Sequence, residues 1–454
     1  MAKPKVIFPL LLALSILCGG ALIARAQTPT NTETVAAKGR TSPFLRSTNL
    51  SGASDLPGLV SISVTPANPT LSVGGQQEFT ATGTLENGTQ ANITDTVAWS
   101  SSEPTVAQVT APGRVKAIAG GTSTITASYG SISGSSLVTI TDPLGTATGT
   151  SIACPAGDLS GVCYSIAISC PKVNDFTGWI KVTYPTGTPV GTVVFSSGGN
   201  GTGFYEDNYT YGATVLDTVN QGGFTVVQIS WEHPFTLDQP YGWQTGPGGT
   251  RAVACRYATL AQWVYSNIHN ANTAAPFCAT GNSAGAEEIG QAMTHYGLGS
   301  IFAMVEPTSG PSYGQQVWAC DDSQPDAINP CGNLTQYGVG VGGAEQFIDP
   351  SYPRPICSMT YRTHQTTYDS IFLHDSVVST DAILSYPNTF VNFRLGDLDM
   401  GAGPNQATTW ETAITSSKNI SCIAGAAHSI PDSLVGAQAV ASDVVSLCQL
   451  PTAK

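Results

Sequence analysis

Charge is what this sequence has least of. Asp, Glu, Lys and Arg make up 10% of its 454 residues, against roughly 25% in an ordinary soluble domain. Gly, Ser, Thr and Asn fill the gap with neutral polar surface. Basic residues are the scarcer sign, 17 Lys and Arg against 30 Asp and Glu, for a formal net charge of −13. A surface this acidic repels phosphate backbones and anionic lipid, which argues against nucleic acid and against stable membrane association. Long apolar runs are missing beyond the N-terminus, so no later segment is expected to span a bilayer. There is no Cys-x-x-Cys pair and no cluster among the 6 His. That pattern argues against zinc, and no metal or cofactor is expected. Hydrophobic residues, at 41%, are plentiful enough to argue against disorder throughout. The length fits two or three domains better than one core.

The first 26 residues read as a signal peptide. Lys3 and Lys5 form a basic start, Val6 to Leu17 an apolar run, and Ala24-Arg25-Ala26 a small-residue cleavage site before Gln27. An uncleaved anchor is the competing reading, weakened by Pro9, Gly19 and Gly20, and Leu17 before Cys18 does not fit a lipoprotein. Cysteine usage agrees with export. The ten Cys beyond residue 150 are an even set, which in an oxidising compartment implies up to five disulfides. Short spacings favour Cys320–Cys331 and Cys154–Cys163, with other connectivities open. A secreted or periplasmic location is the expectation.

Residues 27–58 are rich in Thr, Ser, Asn and Ala without apolar periodicity and read as a flexible linker. From 59 to 141 the pattern changes to short alternating runs such as Val60-Ser-Ile-Ser-Val64 and Ser123-Thr-Ile-Thr-Ala127, separated by turn residues. Strands of this length and spacing indicate a small all-β sandwich. Thr65-Pro66, Val73-Gly74-Gly75, Trp99-Ser100-Ser101, Gly113-Arg114-Val115 and Ala119-Gly120-Gly121-Thr122 together resemble the bacterial immunoglobulin-like group 2 domain. The resemblance implies a spacer or adhesion role, with cell-surface or polysaccharide contact. Trp99 reads as core packing.

Residues 142–150 read as a second short linker. From 151 to 454 strand-like and helix-like segments alternate, which implies an α/β domain with a mostly parallel sheet. The stretch 311–387 interrupts that rhythm; it is aromatic, carries Cys320, Cys331 and Cys357, and reads as a disulfide-tied cap insertion.

Gly281-Asn282-Ser283-Ala284-Gly285 is a G-x-S-x-G pentapeptide. In a chain so rich in Gly and Ser, about 0.5 matches arise by chance, so the setting carries the weight. The motif closes a β-rich run, Pro276–Thr280, and opens an amphipathic helix from Ala286 to Tyr296. Strand, tight turn and helix are what a nucleophile elbow requires, with Ser283 above the sheet and the Ala284 N–H facing the reacting carbonyl oxygen. A serine hydroxyl needs a base to take its proton.

Residues 151–454 resemble an α/β-hydrolase of the serine esterase type. The resemblance implies the chain order Ser, acid, His. His428, after a short strand and before the C-terminal helix, is then the base; His364 and His374 are weaker candidates. Gly396-Asp397-Leu398-Asp399 resembles the G-x-x-D turn of hydrolases and singles out Asp399 as the acid, with Asp397 a close rival and Glu306 a third choice. The loop Ser197-Gly198-Gly199-Asn200-Gly201 resembles the H-G-G loop of esterases, with Ser where His is common; Gly199 or Asn200 would join Ala284 in the oxyanion hole. A dinucleotide fingerprint on the same loop would need glycine where Phe204 stands. Glu287-Glu288 read as a solvated helix face. Trp231, Tyr241 and Trp243 read as cleft lining or core packing.

These readings converge on a secreted serine hydrolase using a small-molecule or polymeric ester through a Ser-His-Asp triad. A non-catalytic adhesin or carbohydrate-binding protein on a hydrolase scaffold, and a secreted serine peptidase, are the alternatives.

Overall fold

The computed structural model describes residues 56–157, 159–236, 242–321, 331, 344–399 and 403–449. The segment read as a signal peptide, nearly all of the expected 27–58 linker, Tyr241 and the middle of the expected cap lie outside the described residues.

Residues 59–141 form a β-sandwich of short sheets. Leu59–Thr65 pairs antiparallel with Thr80–Leu85, and Gly121–Tyr129 with Ile132–Thr141. Burial along Gly121–Tyr129 alternates, so one face supplies the core and the other stays in water. Ile62, Val64, Phe79, Ile125, Val138 and Ile140 fill that core. Trp99 packs against it half-buried, its indole N–H donating to Thr94 O at 2.9 Å.

The larger part is built on a nine-stranded sheet: β1 (Thr146–Ile152), β2 (Val162–Ser169), β3 (Phe176–Thr183), β4 (Gly191–Ser196), β5 (Phe224–Ser230), β6 (Phe277–Asn282), β7 (Met304–Thr308), β8 (Phe390–Gly396) and β9 (Lys418–Ile423). The strand order is β1-β2-β3-β5-β4-β6-β7-β8-β9. The first three strands are antiparallel, and β5-β4-β6-β7-β8-β9 run parallel. β4, β5 and β6 are buried at every residue, as parallel strands covered on both faces must be. Helices α1 (Gly212–Gln221) and α5 (Leu434–Leu447) cover one face; α2 (Thr250–Asn267), α3 (Ala284–Thr294) and α4 (Gly403–Ala413) cover the other.

Two expectations about connections are corrected. The 142–150 segment is no free linker, because Thr146–Ile152 pairs in register with β2 as the edge strand β1. Asp142, just past the last sandwich strand, donates its N–H to His295 O at 2.7 Å, and its carboxylate meets buried Arg251 at 2.6 Å; Arg251 also pairs with Asp381. The disulfides are Cys154–Cys163, Cys170–Cys255, Cys278–Cys448, Cys320–Cys357 and Cys331–Cys422. Cys320 lies on the helix Gln316–Asp321, which packs on Ile356–Thr363, so its partner is Cys357 rather than Cys331. Cys331 ties the cap to β9. Spatial approach, not sequence spacing, decides a pairing.

Glu287 and Glu288 are likewise not a solvated face. Every residue of α3 is buried, and both glutamates are 0% exposed. Neighbouring α2 and the cap segments at Tyr313 and Asp375 leave the helix no wet side. Glu288 accepts from the Trp231 indole at 2.5 Å, and Glu287 from Gln291 and from Tyr313 N–H. Burial pushes the Glu287 carboxyl from 4.5 up to about 7 and raises Glu288 and Glu306 as well. A carboxyl that holds its proton more tightly when folded stabilises below its unfolded pKa, and that contribution fades as pH rises through the folded value. The Glu287 contribution to stability therefore falls between pH 4.5 and about 7. Glu287→Gln should lessen that fall by about 3 kcal/mol. Urea denaturation of oxidised protein across this window checks it; identical slopes for variant and parent would refute the assignment.

Candidate active site

β4 lies between β5 and β6, so the chain moves outward on one side of β4 and then crosses to the other. In an open parallel sheet, ligands bind beyond the carboxyl ends of the strands at such a reversal. The loops leaving β4 and β6 meet there. The first carries Gly198-Gly199-Asn200, the second Ser283.

Ser283 has φ 57° and ψ −114° at the N-terminus of α3, a backbone region a side chain occupies only when its surroundings impose it. The flanking glycines explain how. A Cβ on Gly281 would fall 2.6 Å from the Gly285 carbonyl, and one on Gly285 would fall 2.7 Å from Ser196 O. Ser283 N–H is fixed by Thr308 O at 2.8 Å. Asn282, buried at the end of β6, accepts from the Thr308 hydroxyl at 2.9 Å and from Ile430 N–H at 3.2 Å. It ties the turn to the segment that follows His428.

His428 Nε2 is 2.8 Å from Ser283 Oγ, and its Nδ1 lies 3.0 and 3.1 Å from the two oxygens of Asp399. A carboxylate accepts only, so Nδ1 carries the ring proton and Nε2 is free to accept from the Ser283 hydroxyl. Asp399 is 0% exposed, whereas the His428 side chain is 37% exposed. The buried carboxylate can fix the ring while part of the imidazole stays open to solvent.

The other acids go elsewhere. Asp397 accepts from Gly425 N–H at 2.7 Å and so closes the turn before His428. Glu306 lies inside β7, two residues before its end, where its carboxyl accepts from Asn392 at 2.7 Å. Among the remaining histidines, His374 faces Asp375, and His364 approaches the Asp321 carbonyl. His233 meets Trp179 edge to face, while His269 and His295 are buried against Thr192 and the Ser376 carbonyl. Trp231 and Trp243 are core residues.

In the glycine loop, a Cβ on Gly198 would lie 3.2 Å from the Ser283 Cβ, so this strand end presses on the elbow. Gly198 N–H is taken by the Tyr209 hydroxyl at 2.7 Å. Gly199, at φ 60° with open space on its Cβ side, and Asn200 come next. Sequence reasoning passed over three residues here. Asn282 was visible as a polar residue inside a buried strand, but Tyr209 had no local signal. Neither did Ser312, whose hydroxyl is 2.9 Å from Ser283 Oγ. Among the described residues, no group of three or more His, Cys, Asp or Glu side chains is placed to hold a metal, and no helix is long and apolar enough to cross a membrane.

Residues 59–140 match the family model of the bacterial Ig-like domain (group 2). Over 83 residues the chain is 48% identical to ice-binding protein 1 of Shewanella frigidimarina, a stretch that is 18% of this chain and spans only 9% of that protein. Similar solved structures include Est1E from Butyrivibrio proteoclasticus, 13% identical with a TM-score of 0.38, covering 63% of this chain and 99% of that one. Acetyl xylan esterase 1 from Thermoanaerobacterium is 13% identical with a TM-score of 0.39, covering 67% and 89%. The strand order, the elbow after β6 and the positions of Asp399 and His428 after β8 and β9 carry the fold assignment on their own. The chain is a bacterial Ig-like domain of group 2 followed by a domain of α/β-hydrolase fold.

Proposed function

We propose that this protein is an exported serine hydrolase that cleaves carboxylic esters by two-step acyl transfer. The observation that carries the reading is the unbroken line of hydrogen bonds from Ser283 Oγ through His428 to buried Asp399. Ser283 attacks the ester carbonyl carbon as its proton passes to His428 Nε2, and Asp399 stabilises the imidazolium that forms. The carbonyl electron pair moves to oxygen, held by Ala284 N–H and by the amide of Gly199 or Asn200. Collapse expels the alcohol, which takes the proton from His428. Water then repeats the attack, freeing the acid and restoring Ser283.

The ten cysteines beyond residue 150, all paired, support maturation in an oxidising compartment, in line with the signal-peptide reading. The Ig-like domain would serve as a spacer or as a contact with a surface or polysaccharide. An ester, as a small molecule or within a polymer, is the substrate class in this reading.

Ser283→Ala should reduce p-nitrophenyl-ester turnover by about 10⁴-fold or more with the thermal unfolding midpoint retained. Turnover at the parent rate would end the enzyme reading. A fluorophosphonate probe should label the parent and not this variant, whereas a binding protein on a decayed scaffold would label in neither form; casein digestion by the parent would favour a peptidase instead.

Asp399→Asn should lower kcat by about 10⁴-fold through loss of the correct His428 tautomer. Asp397→Asn and Glu306→Gln should each keep activity within a small factor of the parent. Steady-state kinetics on the three variants decide which acid serves, and a large loss in Asp397→Asn alone would reassign the role.

A further inference from the structure

We propose that Ser312 is a further catalytic residue, its hydroxyl donating to Ser283 Oγ and so turning the Ser283 proton toward His428. The proposal rests on the Ser283–His428–Asp399 reading and deepens it.

The reasoning begins with proton counting. Ser283 Oγ has two close partners, His428 Nε2 at 2.8 Å and Ser312 Oγ at 2.9 Å, and one proton to give. With Nδ1–H donated to Asp399, Nε2 is an acceptor and claims that proton. The Ser283–Ser312 contact is then satisfied only with Ser312 as donor. A hydroxyl donating to the attacking oxygen interacts more strongly as that oxygen loses its proton and gains charge. The contact is therefore worth more in the transition state than in the resting enzyme, which is the condition for raising kcat.

The topology separates this donor from the oxyanion hole. β6 has β4 on one side and β7 on the other. Gly199 and Asn200 come from the β4 loop, and Ser312 comes from the chain leaving β7. Ser312 thus serves the nucleophile oxygen, while the carbonyl oxygen turns to the opposite side.

The segment carrying Ser312 is held to the elbow, to α3 and to β8. A Cβ on Gly310 would fall 2.7 Å from Ser283 O, and Ser309 N–H donates to Arg394 O at 2.8 Å. Tyr313, 1% exposed, donates its N–H to Glu287 at 3.3 Å, and its hydroxyl meets Gln244. Glu287 lies one turn after Ser283, its own N–H bonded to Ser283 O at 3.1 Å. One helix therefore positions both the nucleophile and the clamp on its neighbour.

In acylation, the Ser283 O–H bond breaks, its proton goes to His428 Nε2, and the Oγ–carbonyl carbon bond forms; the carbon–alkoxy bond then breaks and the alcohol leaves with the proton from His428. In deacylation, water loses a proton to His428, its oxygen bonds the same carbon, and the Oγ–carbon bond breaks. The departing Oγ then recovers a proton from His428. Ser283 Oγ carries partial charge in both steps, and Ser312 donates to it in both without losing its own proton.

The test compares Ser312→Ala and Ser312→Thr with the parent by ester kinetics, fluorophosphonate labelling rate and thermal midpoint. Ser312→Ala should lose about 10- to 100-fold in kcat/KM and in labelling rate with its midpoint retained, the range for a hydrogen bond to a charged group. Ser312→Thr keeps a hydroxyl and should recover most of both rates. Parent-like labelling by Ser312→Ala would overturn the proposal, as would equal impairment of both variants, which would indicate packing alone. Those failures leave the parent active and the Ser-His-Asp reading standing. A parent that neither labels nor hydrolyses esters would remove that reading and this proposal together.

Discussion

The backbone reversal at Ser283 is the constraint on which the site depends. A non-glycine residue at φ 57° costs on the order of 1–3 kcal/mol and persists only where its neighbours leave no alternative. They do so here by contact. Gly285 packs against the Ser196 carbonyl, Gly310 against the Ser283 carbonyl, and Ser283 N–H is anchored to β7. The two strands flanking β6 thus pin the turn that closes it. The sharp reversal lifts Oγ out of the sheet, where a histidine arriving from β9 can reach it. A relaxed turn would point the hydroxyl elsewhere and leave His428 and Asp399 paired with nothing to activate.

Much of this was legible because parallel sheets make position informative. A turn closing a buried strand lies at the carboxyl edge, and so do turns closing later strands. Ser283, the Gly396–Asp399 turn and His428 could therefore be referred to one edge from the sequence alone. Choices within a turn could not. Asp397 and Asp399 share a loop, and the difference between them is whether the side chain meets Gly425 N–H or the His428 ring. Glu306 is near the right edge but faces into the layer between sheet and helix, toward Asn392. Such directions depend on side-chain placement, which a strand boundary known to within a residue or two does not fix.

The remaining misreadings share a physical origin. Glu287 and Glu288 looked solvated because a charged pair near a helix start normally is, and 142–150 looked like a linker because it is small, polar and follows a complete domain. In each case a second segment, distant in sequence, covers the first: the cap over α3, and β2 beside Thr146–Ile152. The same holds for Cys320 and Cys331, whose nearness in sequence says nothing of which helix or strand each faces. Local pattern reports the surface a segment offers. It does not report what arrives to cover it.

Helix α3 brings these threads together. At its start stands the strained serine, and just past its end His295 O accepts the N–H of Asp142, the residue following the Ig-like domain. Arg251, beneath that junction, links Asp142 to Asp381 of the insertion. Covered from α2 and from the cap, the helix can keep two carboxyl groups out of water only because Trp231, Gln291 and Tyr313 supply hydrogen bonds to them. Unpaired, each would carry a large desolvation cost. The insertion therefore does more than shade the site. By delivering the Tyr313 amide to Glu287 it satisfies a buried carboxyl, and the same bond helps hold the preceding residue, Ser312, beside Ser283. One contact thus bears on both the buried carboxyl and the position of the second hydroxyl.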